Sequence, residues 1–167
     1  MRWMLIIVAA LALVVVLVVI VGSSLPVEHR ATREATIHHP LALVHETITE
    51  VAAYPTWRPS VKRVEWLPTS DGVTRFREHS SNGAITYEMR ELTPGSRIQT
   101  RILDTNLGFG GTWTYELAPI AGGTTVRITE DGTVTNPIFR VVSRFIMGHH
   151  ATIDAYLRDL SARLPDH

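Results

Sequence analysis

The chain has 167 residues, room for one domain of ordinary size plus an appendage but not for two good cores. Sixteen Lys+Arg balance sixteen Asp+Glu without a basic cluster, which argues against a nucleic-acid partner, since binding phosphate backbones needs concentrated positive charge. There is no cysteine, so disulfides, thiolate catalysis and Cys-ligated metals are excluded.

Trp3 to Val21 is an uncharged stretch of nineteen residues, nearly all Leu, Ile, Val, Ala or Met. As a helix it would reach about 28 Å, close to the ~30 Å hydrocarbon core of a bilayer. The competing reading is a cleaved signal peptide, but an h-region is usually about 7–15 residues and no clear small-x-small cleavage site follows. The expectation is a retained single-pass membrane anchor over 1–22, contacting the bilayer through residues 3–21. A short polar linker over 23–28 and one folded domain over 29–167 would follow. Arg2 plus the amino terminus on one side balances Arg30 and Arg33 on the other, so the side of the membrane stays open.

His29 to Ile37 alternates, with Ala31, Arg33, Ala35 and Ile37 on one face, and reads as a first strand. After His38-His39-Pro40, the spacing of Leu41, Val44, Ile48 and Val51 predicts a helix ending near Ala52. Tyr54 to Pro59 is too proline-rich for more than a turn or short helix. Six short runs follow: 61–67, 73–80, 84–92, 97–103, 112–117 and 124–130. They are separated by Asp71-Gly72, Asn82-Gly83, Pro94-Gly95, Gly108 to Gly111 and Gly122-Gly123, the turn chemistry of an antiparallel meander. Alternation puts Val64, Trp66, Phe76, Ile85, Tyr87, Met89, Ile98, Ile102, Trp113, Tyr115, Leu117, Val126 and Ile128 on a dry face. Arg63, Arg75, Arg77, Glu88, Arg90, Arg97, Arg101, Glu116 and Arg127 fall on a solvated one.

From Asn136-Pro137 to Leu164 the period becomes helical: Ile138, Val142, Phe145, Ile153, Tyr156, Leu160 and Leu164 fall three, four or seven apart. Asn136 reads as an N-cap with Pro137 at the first helical position, and Gly148 marks a bend or close approach midway. His149 falls on the apolar stripe between Phe145 and Ile153. A long helix laid across a twisted, curling sheet cannot fill the concavity everywhere, so an apolar cavity is the expected leftover.

The order of elements, with Tyr54-Pro55-Thr56-Trp57-Arg58-Pro59, Thr129-Glu130-Asp131-Gly132 and Asn136-Pro137-Ile138-Phe139-Arg140, resembles the START-like (SRPBCC, helix-grip) superfamily from about His29 onward. In particular it looks like the membrane-anchored members described as polyketide cyclase/dehydrase and lipid transport. The resemblance implies an α+β helix-grip fold, a seven-stranded antiparallel sheet wrapped around a long C-terminal helix, here preceded by one N-terminal transmembrane helix. It also implies a hydrophobic ligand cavity between sheet and helix. The iron-ligand motifs of oxygenase members are not found, and no cofactor is expected.

The residues expected to line that cavity are Trp57, Trp66, Phe76, Glu78, Tyr87, Met89, Ile102, Trp113, Tyr115, Ile128, Val142, Phe145, His149 and Ile153. Glu78 and Glu130 share inward parity. A carboxyl group aimed into an apolar space could act as acid, base or ligand partner; near a strand end it would instead meet water or cap a turn. His149 is either a polar contact in the cavity or a core histidine satisfied by its neighbours. His149, His150 and Asp154 lack the further ligands and spacing of a metal site. Trp57 and Arg58 sit where a loop could gate the cavity or plug the core. Phe109 to Trp113 lacks the lysine and following helix of a phosphate loop.

No catalytic constellation stands out. The leading expectation is therefore binding or transport of an apolar small molecule (lipid, quinone or polyketide-like) by a membrane-anchored domain. The alternative is a cyclase or dehydratase in which His149 and an inward Glu transfer protons. A partner-binding module with a filled core is the third reading.

Overall fold

The computed structural model describes residues 2–69, 72–148 and 150–165. Helix α1 (Arg2–Ser24) carries the apolar run and is long and apolar enough to cross a membrane. Strand β1 (Glu28–Ile37) follows, then α2 (Leu41–Thr49), a 3-10 turn (Val51–Ala53) and α3 (Tyr54–Trp57). Val44, Ile48 and Val51 form the buried stripe of this helical segment, and the Tyr54 hydroxyl donates to the Ile48 carbonyl at 2.7 Å, tying α3 back onto α2.

Six strands complete the sheet: β2 (Arg63–Trp66), β3 (Thr74–Ser80), β4 (Gly83–Thr93), β5 (Arg97–Ile102), β6 (Phe109–Ile120) and β7 (Gly123–Val134). Their order is β1-β7-β6-β5-β4-β3-β2, antiparallel throughout. The fold is the seven-stranded helix grip expected from the sequence. β6 starts earlier and β7 runs further than the sequence pattern suggests, because Gly110 and Gly111 belong to the ladder and not to a turn. A side chain on Gly111 would strike the Asp131 carbonyl oxygen, so the two strands approach where only glycine fits.

One face of the sheet is wet, as alternation requires. At its centre Glu88 is covered by Arg75, Arg90 and Arg101, leaving its side chain 4% exposed. The hydrogen bond from Arg90 holds this carboxyl below the usual range, with Arg75 and Arg101 adding to the effect and burial opposing it.

The dry face receives α5 (Ala151–Arg163), which buries Ile153, Tyr156, Leu157 and Leu160 at i, i+3, i+4 and i+7. The single long helix read from periodicity is divided. α4 (Pro137–Val142) continues into a π-helical turn (Ser143–Met147), and Gly148 then breaks the direction at φ 74° and ψ 149°. The Asn136 side chain accepts from the Ile138 and Phe139 amides at 2.9 and 3.2 Å, the N-cap expected. α4 packs chiefly on α1, where Gly22 lies so close to Pro137 that a side chain would meet its carbonyl. Of the two C-terminal helices, α5 is therefore the one that lies along the dry face.

Candidate ligand-binding interior

The grip encloses an aromatic cluster with an ion pair inside it. Glu78 stands on the inner face of β3, between Val64 and Ile85 on the flanking strands. Arg58, just after α3, reaches it with two bonds, Nη1 to Oε1 at 2.6 Å and Nη2 to Oε2 at 3.3 Å; the side chains are 17% and 12% exposed. The guanidinium also lies over the rings of Tyr54 and Tyr156, 4.6 and 5.2 Å from their centroids. Burial pulls its pKa down, but Glu78, Tyr54 and Tyr156 more than offset that, so Arg58 stays a cation.

Tyr156 of α5 is the hub. Its ring meets Trp57, Tyr115 and Trp113 at 5.5, 5.6 and 5.8 Å, mostly edge to face. Tyr54 contacts Trp57 and Phe76, and Phe76 stacks on Tyr87. All four tyrosines of the chain belong to this cluster. Burial raises the pKa of each: Tyr115 is pushed up to about 12, and Tyr54, Tyr87 and Tyr156 also rise. The Tyr156 hydroxyl lies near those of Tyr54 and Tyr115 but finds no acceptor in good geometry, and the buried Trp57 indole N–H likewise has none.

A second polar pair lies on the same face. His29 Nε2 is 3.2 Å from Glu130 Oε1, over the Gly132 backbone, where a side chain would collide with the imidazole. The other Glu130 oxygen is buried without a hydrogen bond. The strand-end reading of Glu130 is corrected here: β7 continues to Val134, so Glu130 is mid-strand, cross-paired with Trp113 and Ala31.

Of the residues assigned to the cavity, Phe76, Ile128 and Ile153 are fully buried, and Trp57, Met89 and Tyr115 nearly so. Glu78, Tyr87, Ile102, Trp113 and Val142 are half-buried. Trp66 and Phe145 are corrections. Trp66, 54% exposed, ends the four-residue edge strand β2, far along the sheet from β1, where α5 rests. Phe145, 65% exposed, is carried away from the sheet by the π turn and the packing of α4 on α1. His149 lies outside the described residues. Arg58 as partner of Glu78 was not read from the sequence. The available signal was an inward carboxylate needing a cation, with one arginine inside an otherwise uncharged aromatic-proline loop.

A seven-stranded sheet gripping a helix over an interior of this kind defines the START-like class. The chain belongs to the polyketide cyclase/dehydrase and lipid transport family, whose model matches residues 28–164. Among solved structures, it resembles the Zhui aromatase/cyclase from Streptomyces sp. R1128 at 18% identity and TM-score 0.66, covering 82% of this chain and 93% of that one. A START superfamily protein from Mycobacterium smegmatis matches at 14% identity and TM-score 0.61, over 81% and 97% of the two chains. The di-domain aromatase/cyclase StfQ from the steffimycin biosynthetic pathway matches at 14% identity and TM-score 0.67; 83% of this chain covers about half, 51%, of StfQ. At these identities the likeness is one of fold. No curated protein matches.

Proposed function

We propose that the chain is a membrane-anchored carrier that holds an apolar small molecule bearing an oxygen function between the sheet and α5. The observation that carries this is the buried Trp57 indole N–H, left without an acceptor beside the Arg58–Glu78 pair and the Tyr156 hydroxyl. Buried donors are normally satisfied, because leaving one idle costs about 1–3 kcal/mol. A ligand carbonyl or hydroxyl would satisfy the indole, while the rings around it supply apolar contact at about 25 cal/mol per Å² removed from water. α1 keeps such a carrier beside the phase where apolar molecules concentrate.

Native mass spectrometry of the detergent-extracted full chain tests this reading. Wild type and Thr100→Val should release a bound apolar species. Thr100→Phe, which adds a ring at a buried inner position cross-paired with Trp113, should release much less. Equal yields from all three would sink it.

The second reading, a cyclase or dehydratase, rests on His29–Glu130, a base and an acid in contact on the inner face. It requires turnover of a polyketone-like substrate that falls by about a hundredfold or more in Glu130→Gln. Release of the bound species unchanged would favour the carrier.

A further inference from the structure

We infer that the α4–π segment is an in-plane membrane helix, seated at the bilayer interface with its arginines among anionic phospholipid headgroups. This rests on the reading of α1 as a membrane anchor. Within α4, Ile138, Phe139, Val141 and Val142 fall on one apolar face with Arg140 opposite, and the π turn that follows presents Phe145 and Ile146 outward. Ile138, Phe139, Phe145 and Ile146 are 41%, 46%, 65% and 76% exposed. An amphipathic helix of this composition partitions into the headgroup–acyl boundary.

The position of the segment fixes the occupant as the bilayer. α1 would run about 34 Å, slightly more than a ~30 Å hydrocarbon core, so its last turn marks the boundary. Gly22 in that turn touches Pro137, the first residue of α4, and the two helices pack there. The second helix therefore starts at the depth where the first one leaves the lipid. Arg140 binds this geometry to the chain leaving α1, donating to the Leu25 carbonyl at 2.8 Å and to the Thr135 carbonyl at 3.2 Å. Beside it a cleft of about 170 Å³ opens between the 25–30 segment, Val134, Arg140, Ser143 and Arg144. With Arg30 paired to Asp131 at 3.5 Å, Arg140 and Arg144 still outnumber Glu28 in its lining. A cationic cleft at this depth suits phosphate-bearing headgroups.

The chain has no cysteine, so single-cysteine variants report one position each. Phe145→Cys, Ile146→Cys and Arg144→Cys of the full chain are labelled with an environment-sensitive fluorophore. They are then reconstituted into vesicles of phosphatidylcholine with or without phosphatidylglycerol. Labels at 145 and 146 should emit to the blue, be quenched by acyl-chain spin-labelled lipid and resist aqueous iodide. The label at 144 should show the reverse. Phosphatidylglycerol should deepen the shielding at 145, and adding Arg144→Gln to Phe145→Cys should remove that gain. Iodide access at 145 and 146 equal to that at 144 overturns the proposal, as does shielding there from both quenchers, which would place the face against protein. A carbonate wash separates the two failures. A chain retained by vesicles with wet labels loses this inference alone, and a chain washed off loses the anchor as well.

Discussion

Arg58 and Glu78 are opposite charges withdrawn together from water, and such a pair is worth far less as a pair than either member costs alone. Arg58→Met leaves a carboxylate among aromatic rings and should lower unfolding free energy by about 3 kcal/mol in urea titrations of the detergent-solubilised chain. Arg58→Met with Glu78→Leu should recover most of that loss, and failure to recover would mean that Arg58 matters mainly through its stacking on Tyr54 and Tyr156. The tyrosines give a test by pH. In the unfolded chain each ionises near about pH 10, whereas in the fold Tyr115 waits until about 12 and the other three are also raised. The folded state holds the extra protons above pH 10, so this stabilising contribution is complete below about 10 and is lost as pH climbs through the folded values. Because every tyrosine of the chain lies here, absorbance at 295 nm reads this site alone. It should stay flat through pH 10 in the native protein and rise there in urea; a native transition at pH 10 would show that the cluster is wet. The Arg58–Glu78 pairing was half legible: parity turned Glu78 inward, but nothing in a strand's period identifies a partner twenty residues away in an irregular loop.

At the scale of elements, the division of the C-terminal helix depends on one backbone conformation. Gly148 occupies a region of φ and ψ that is essentially closed to side-chain-bearing residues, at a cost of about 1–3 kcal/mol for any of them. Gly148→Ala should therefore favour a continuous helix. Spin labels at positions 144 and 161 should then move apart toward the about 26 Å of a straight helix, measured by pulsed electron resonance. An unchanged distance would assign the bend to the packing of α4 on α1. The sequence marked both ends of this feature, the Asn136 cap and the Gly148 interruption, because each is a local choice of residue. It misplaced Phe145 because helical spacing continues on paper through a π turn that rotates the side chains, and because contact between α1 and α4 joins segments over a hundred residues apart. Trp66 was misplaced for a related reason: alternation gives the face of a strand but not whether anything lies above it.

For the whole molecule, the proposed anchor makes a simple claim about α1. The full chain should remain in the membrane pellet after extraction at alkaline pH. Leu13→Arg, which places a charge mid-span at a cost of about 2.5–3.5 kcal/mol, should release a measurable fraction. Complete release of the unmodified chain would leave the family fold intact and remove the membrane from the account.

The edge ladder formed by β1 joins the two ends of the folded domain's chain. β1, the first strand after α1, pairs with β7, so that Arg33 lies opposite Ile128 and Ile37 opposite Thr124. During synthesis the ribosome would thread α1 and β1 out long before β7 exists, and loop closure over that separation makes the pairing slow. Nascent chains arrested before Gly123 should therefore leave β1 open to protease, and protection should appear only once the last hairpin has emerged.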